Sequence, residues 1–207
     1  MPEYDAVVVG AGPNGLAAAI ELALGGRTVV VIEAEAIAGG GTRSAELTLP
    51  GFTHDICSAV HPLAVSSPFL RALPLQDHGL EWVQPPTPLA HPFDDGGVAL
   101  LQRSIHDTAT SLDGDGRAYA RLMTPLAERW LDLAVDVLAP LRVPRHALLF
   151  ARFSLGAVQS AHGLATRSFR GERARALFAG ISAHSSVRLT APPTAAFGLT
   201  LAAAGHA

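Results

Sequence analysis

At 207 residues, with 49% hydrophobic and 16% charged side chains, the chain has ample material for a buried core, which excludes a disordered linker. A formal net charge of −3 and the lack of any long like-charge block exclude a general polyanion-binding role, so no nucleic-acid partner is expected. Cys57 is the sole cysteine, which excludes an internal disulfide framework and any C-x-x-C metal or redox pair; a reducing, cytoplasmic setting fits that usage.

The opening MPEYDAVVVG lacks the basic start and cleavage region of a signal peptide. It reads as a strand over Tyr4–Val9 that ends at Gly10, apolar enough to expect cover on both faces as in a parallel sheet. From Pro13 to Leu24 the apolar positions Leu16, Ala19, Ile20 and Ala23 recur at helical spacing, and Gly25–Gly26 stops the helix. Thr28–Ile32 is a second strand, which makes a βαβ unit. Glu46–Leu49, Pro50–Gly51 and Phe52–His54 predict a short hairpin. Leu80–Val83 and Val98–Leu101 predict further strands, the latter after a turn at Asp94–Gly97.

Beyond Ser104 the pattern turns helical. Asp115 is the expected cap of one helix carrying Leu122, Leu126, Trp130, Leu133 and Val137 on a single face. Later helices are expected over Arg145–Ser160, Glu172–Ala183 and Pro193–Ala203. The run nearest to a membrane span, Thr190–Ala204, is interrupted by Pro192, Pro193 and Gly198, so no span is expected. The fold class is therefore α/β: a Rossmann-like βαβ unit over residues 1–60, then a mixed, mainly helical region over 61–207.

The chemistry concentrates at the start. Gly10-Ala11-Gly12-Pro13-Asn14-Gly15 fits G-x-G-x-x-G directly after a strand and at the mouth of a helix, where free N–H groups and the helix dipole favour a diphosphate. Glu33, followed by Ala34, ends the second strand, where a carboxylate accepts hydrogen bonds from an adenosine ribose. These features suit FAD and NAD(P) alike. The segment after the second strand favours FAD: Gly39-Gly40-Gly41 brings backbone close to a ligand, and Arg43 can neutralise a second face of the diphosphate. An NAD(P)-dependent dehydrogenase stays open as the alternative, as does a non-catalytic nucleotide-binding chain.

With Pro50-Gly51-Phe52-Thr53-His54-Asp55 added to the fingerprint, Glu33 and the glycine cluster, the chain resembles the phytoene desaturase-related FAD-dependent oxidoreductases, within the wider amine-oxidase-like flavoprotein group. The resemblance continues through Gly79–Trp82, Leu89–Pro92, Asp113–Tyr119 and Phe197–His206. It implies that Gly10, Gly12, Gly15, Glu33, Gly40, Gly41 and Arg43 bind FAD. It implies hydride abstraction from an apolar or amine small-molecule substrate, and a longer family protein of which this would be the N-terminal part. Thr42 stands between the glycines and Arg43, whereas related desaturases place arginine directly after a glycine pair.

Other candidates read as structural. His54, Asp55, Cys57 and His61 are expected to be hydrogen-bonded loop residues, because flavin itself carries redox chemistry. Nine histidines show no zinc-type spacing, so no metal is expected. Asp113-Gly114-Asp115-Gly116 has Thr124 where a calcium loop needs a bidentate glutamate. Trp130, Phe150, Phe153 and Phe178 read as core. Arg167, Arg170, Arg173 and Arg175 form a basic patch, read as a solvated helix start with peripheral membrane contact as the other reading. No G-x-S-x-G hydrolase motif exists.

Overall fold

The computed structural model describes residues 3–207. These divide into two compact units, one ending at His61 and the other spanning Pro62–Ala207.

The first unit opens with β1 (Ala6–Val9), α1 (Pro13–Leu24) and β2 (Val29–Ile32). β1 and β2 pair in parallel from Ala6↔Val29 to Val9↔Ile32. Pro13 enters α1 at a position whose N–H would have no helical partner, so its missing donor costs nothing. Asp5 and Thr28 staple the two strand starts. The Thr28 amide and hydroxyl each donate to the Asp5 carboxylate at 2.8 Å, and the Asp5 amide donates to the Thr28 carbonyl at 2.9 Å. The two-faced cover expected of β1 is corrected: Val7 and Val9 are 58% and 83% exposed, and Ile32 is 53% exposed. α1 packs on the sheet through buried Ala19, and within the described residues of this unit no second helix covers the opposite face.

β3 (Ser44–Glu46) and β4 (Thr53–Asp55) form an antiparallel pair in the register Ser44↔Asp55, Ala45↔His54 and Glu46↔Thr53. The expected hairpin is thus present but begins earlier, with Leu47–Leu49 in the connection. A 2.6 Å bond from the Ser44 hydroxyl to the Asp55 carboxylate holds that register.

The second unit starts with α2 (Pro62–Ser66) and α3 (Pro68–Ala72), followed by an irregular stretch. No strand forms at Leu80–Val83. Leu80 and Trp82 instead line a cavity with Ala64, Leu70 and Leu75, and Pro85, Pro86 and Pro88, which lack N–H donors, delay any ladder. β5 (Leu89–Pro92) then pairs antiparallel with β6 (Val98–Leu101), so the expected strand at 98–101 takes a partner that the sequence pattern does not mark.

The helices are α4 (Ile105–Ser111), α5 (Gly116–Ala127), α6 (Trp130–Val137), α7 (Ala147–Ala157), α8 (Ala161–Ser168), α9 (Glu172–Ser182) and α10 (Ala195–His206). The apolar spacing predicts one continuous helix through residue 137; the chain breaks it at Glu128–Arg129, where Arg129 leaves helical geometry at φ −119° and ψ 28°. Pro125, inside α5, cannot donate to the Arg121 carbonyl four residues back. The Arg152 guanidinium reaches that carbonyl at 3.4 Å.

Asp115 also departs from expectation. Its side chain makes no capping bond to α5. Buried, it accepts the Arg170 amide at 2.9 Å and the Gly171 amide at 2.6 Å, tying the start of α5 to the approach of α9. The core forms where α5, α7, α8 and α9 pack on α10, with α6 against α5 and α7 and β6 against α9: Trp130, Tyr119, Phe178, Leu177 and Leu199 are at most 1% exposed. Gly198 lets α10 approach α9, since a Cβ there would collide with the Ser182 hydroxyl and the Phe178 ring.

Candidate functional site

The residues singled out at the start of the chain come together within the first unit. β1 delivers Gly10 at φ +96°, a left-handed geometry that glycine tolerates, and its amide donates to the Ile32 carbonyl at 2.7 Å. Gly12 caps α1 with extended backbone and no side-chain capping bond, so the first turn presents bare backbone N–H groups. Gly15 acts by steric permission: a Cβ there would collide with the Gly10 carbonyl oxygen and touch Val8 at 3.5 Å. It keeps helix and strand close. Pro13 and Asn14 are exposed in the first turn of α1.

The second glycine cluster lies directly against the first. The Gly39 amide donates to the Ala11 carbonyl at 2.8 Å. Gly40 opens a 3-10 turn over Gly40–Thr42 at φ +54°, and a Cβ on it would stand 2.9 Å from the Gly12 Cα. Gly41 faces Cys57, and its carbonyl accepts the Ser58 amide at 2.9 Å. The two loops are therefore one backbone surface with almost no side chains on it.

Glu33 is fixed to that surface. One carboxylate oxygen accepts the Ala11 amide at 2.6 Å and the other accepts the Glu35 amide at 3.0 Å. Those bonds, Glu35 first and Ala11 second, hold the carboxyl below its ordinary range, so it is ionised near neutrality. A carboxylate offers about four lone-pair directions, and two are used here, which leaves acceptors for hydroxyl donors. Ala34 follows at the exposed end of β2. Arg43 is held by its own loop: Nε donates to the Gly40 carbonyl at 3.0 Å, and the guanidinium lies 3.3 Å from the Glu35 carboxylate. Glu35, the residue that positions Arg43, was missed in the sequence; its spacing two residues after Glu33 was the available signal.

The remaining candidates have local partners. His54 bonds the Thr48 hydroxyl at 2.7 Å, Asp55 accepts from Ser44, and His61 lies 3.3 Å from the Ser58 hydroxyl. Cys57 is exposed. Of the basic patch, Arg173 is drawn to Asp95 at 3.6 Å and stacks over Phe93, while Arg175 donates to the Phe169 carbonyl at 2.8 Å. Among the described residues no helix is long and apolar enough to cross a membrane.

The arrangement can cradle a diphosphate on bare backbone at a helix N-terminus and accept ribose hydroxyls on a fixed carboxylate. The model of a family described as FAD dependent oxidoreductase matches residues 5–188. Pyridine nucleotide-disulfide oxidoreductase domain-containing protein 2 of Mus musculus is 35% identical over 105 residues, which are 50% of this chain and 18% of that protein. A chloroplastic prolycopene isomerase of Daucus carota is 47% identical over 58 residues, 28% of this chain and 9% of the relative. The structure of wild-type putrescine oxidase bound to putrescine superposes with a TM-score of 0.57 at 22% identity, over 94% of this chain and 40% of that one. The chain thus spans well under half the length of each of these proteins.

Proposed function

This chain belongs to the FAD dependent oxidoreductase family, and on that premise we propose that its first unit holds the adenosine diphosphate half of FAD through Gly10–Gly15, Glu33 and the Gly40–Arg43 turn. Its resemblance to the amine-oxidase-like flavoproteins holds, and FAD, not NAD(P), is the cofactor of the family. The observation that carries the reading is the bare backbone surface where Gly12 and Gly40 meet at the mouth of α1, with the Glu33 carboxylate anchored beside it.

In this reading the N–H groups of the first turn of α1 bind the diphosphate, and Ala11, Pro13 and Asn14 shape the loop around it. Glu33 orients the ribose with the acceptors left free by Ala11 and Glu35; Ala34 continues the backbone past the adenosine. Gly40 and Gly41 keep side chains out of the phosphate path. Arg43, steadied by Glu35, supplies positive charge on the opposite side of the diphosphate. When bound, FAD supplies the two-electron acceptor for oxidation of a C–H or C–N bond; the chain's part is to bind, orient and exclude water. The substrate class that the resemblance supports is a small apolar molecule or an amine. The mainly helical residues 61–207 are the proposed substrate-side region, with residues 1–60 as the FAD-binding one.

The test is an absorbance spectrum of the purified chain, with the ligand released by denaturation and identified. Bound FAD is expected. A well-folded chain that takes up NADH and no flavin would overturn the reading. Gly12→Val sharpens it: a Cβ at Gly12 meets only the Gly40 Cα, at 3.8 Å, so the fold should persist while flavin is lost.

A further inference from the structure

We propose that the outer face of α7 and the loop before it form a docking surface for an anionic lipid bilayer. This surface is separate from the flavin-binding candidates, because all of its residues lie in the second unit.

α7 is apolar on both sides. Leu149, Phe153, Gly156 and Ala157 face inward and are buried. The opposite side, where a surface helix ordinarily carries charged and polar groups, presents Leu148 at 89% exposure, Leu155 at 74% and, just beyond the helix, Val158 at 65%. Leu148, Arg152 and Leu155 follow spacings of four and three, so they share one face. In the preceding loop Leu141 and Val143 are 106% and 88% exposed, flanked by Arg142 and Arg145. Large apolar side chains facing water at Leu141, Val143, Leu148, Leu155 and Val158, so close together in the chain, mark an interaction surface.

Charge selects the occupant. No aspartate or glutamate occurs between Asp136 and Glu172, a stretch that carries Arg142, Arg145, Arg152, Arg167 and Arg170 in a chain of net charge −3. Two acids of the preceding helix, Asp132 and Asp136, are already engaged. The Asp136 carboxylate accepts the Arg145 and His146 amides at 2.8 and 2.9 Å and faces the His146 ring, and Asp132 pairs with Arg129 at 2.9 Å. Arg142 donates to the Val135 carbonyl with the Asp136 carboxylate acting on its charge, and Arg152 donates to the Arg121 carbonyl, so neither guanidinium is tied up in a salt bridge among the described residues. Leu141 and Val143 protrude from a loop instead of lining a groove. Protruding apolar side chains ringed by arginines suit a deformable bilayer, where the apolar groups enter the acyl boundary and the guanidinium groups meet headgroup phosphates. The basic patch at 167–175 is less suited, since Arg173 and Arg175 are tied to partners inside the unit.

The experiment is co-sedimentation of the full chain with phosphatidylcholine vesicles and with vesicles containing about one third phosphatidylglycerol, alongside flavin content. Binding to the anionic vesicles alone, weakened by added salt, is expected. An Arg142→Glu, Arg145→Glu variant should bind at least about twenty-five-fold more weakly, at about fivefold for each arginine lost near a charged surface. Leu141→Ser, Leu148→Ser, Leu155→Ser should lose binding with unchanged circular dichroism, since all three side chains are exposed, whereas Arg188→Glu should keep it. Equal binding to both vesicle types, binding to neither, or retention by the triple serine variant would overturn the proposal. So would a concentration-dependent dimer abolished by that variant, which would assign the face to a second copy. Lost flavin with retained vesicle binding would count against the proposed cofactor site alone.

Discussion

The two units are stabilised by different means. In the second, the apolar cluster from Ala99 to Ala203 is sealed from water, with Trp130, Tyr119, Phe178 and Leu199 at its centre. In the first, Ala11 and Ala19 are the hydrophobic residues buried among those described, and the order comes from backbone bonds: β1 to β2, Gly39 to Ala11, Ser58 to Gly41 and Glu33 to Ala11. Burial is roughly proportional to apolar area removed from water, while each hydrogen bond contributes only about 0.5–1.5 kcal/mol net. A unit that leaves its backbone surface bare forgoes the stronger of the two sources. A bound ligand restores part of the difference by mass action, since it stabilises the state that binds it.

The largest break in this contrast should come from the helical core. Phe178→Ala is expected to cost about 3–5 kcal/mol. Denaturant unfolding followed by tryptophan fluorescence checks it, because Trp82 and Trp130 both lie in the second unit. Asp115→Ala comes next, at about 1.5–3 kcal/mol, because it removes the charged acceptor shared by the Arg170 and Gly171 amides. Asp115→Asn, which keeps an acceptor, should lose less; equal losses would show that charge and not geometry matters at that position. In the first unit, Gly15→Ala should cost about 1–3 kcal/mol by forcing the Gly10 loop apart, and amide hydrogen exchange in β1 and α1 reads it out. Gly12→Val should leave that exchange unchanged and remove flavin only.

Acid should separate the units most gently. Burial, then the neighbouring His184, lowers the pKa of His91, and burial, partly opposed by backbone carbonyls, lowers that of His206. Both are therefore favoured neutral in the fold. Their contribution is fully present above about pH 6.5 and is lost as pH falls from there through their depressed values. Glu33 and Asp5 are carboxylates whose pKa the fold lowers through backbone amides. Their contribution persists below the histidine window and is lost as pH falls from the ordinary carboxylate range through the lowered values. Fluorescence of the second unit should thus respond to pH before hydrogen exchange in the first; the reverse order would refute the assignment.

The fingerprint turn at Gly10–Gly15, α1 over Pro13–Leu24 and the candidate positions Glu33 and Gly40–Arg43 were legible because each rests on local rules: a strand that must end, a helix that must begin, and a backbone that must carry no Cβ. Val98–Leu101 was legible as a strand, but its partner Leu89–Pro92 was not, since alternation over four residues ending in proline carries little signal. The break between α5 and α6 escaped because the apolar face continues across it, from Leu126 to Trp130 at a spacing of four. α8 also escaped; its start is held by the Thr194 hydroxyl accepting the Ala161 amide, a pair far apart in sequence.

By itself, then, the sequence determined the βαβ unit, its glycine-rich turn at the mouth of α1 and the helical character of the chain beyond Ser104, because glycine sterics and apolar periodicity act over a few residues. The tertiary structure decided that Gly40 lies on Gly12, that Glu35 steadies Arg43, that Asp115 clasps the approach to α9, and that α7 turns an apolar face to water. Each of these depends on which distant segments meet, and burial and hydrogen bonding between such segments are properties of the packed chain, not of any stretch within it.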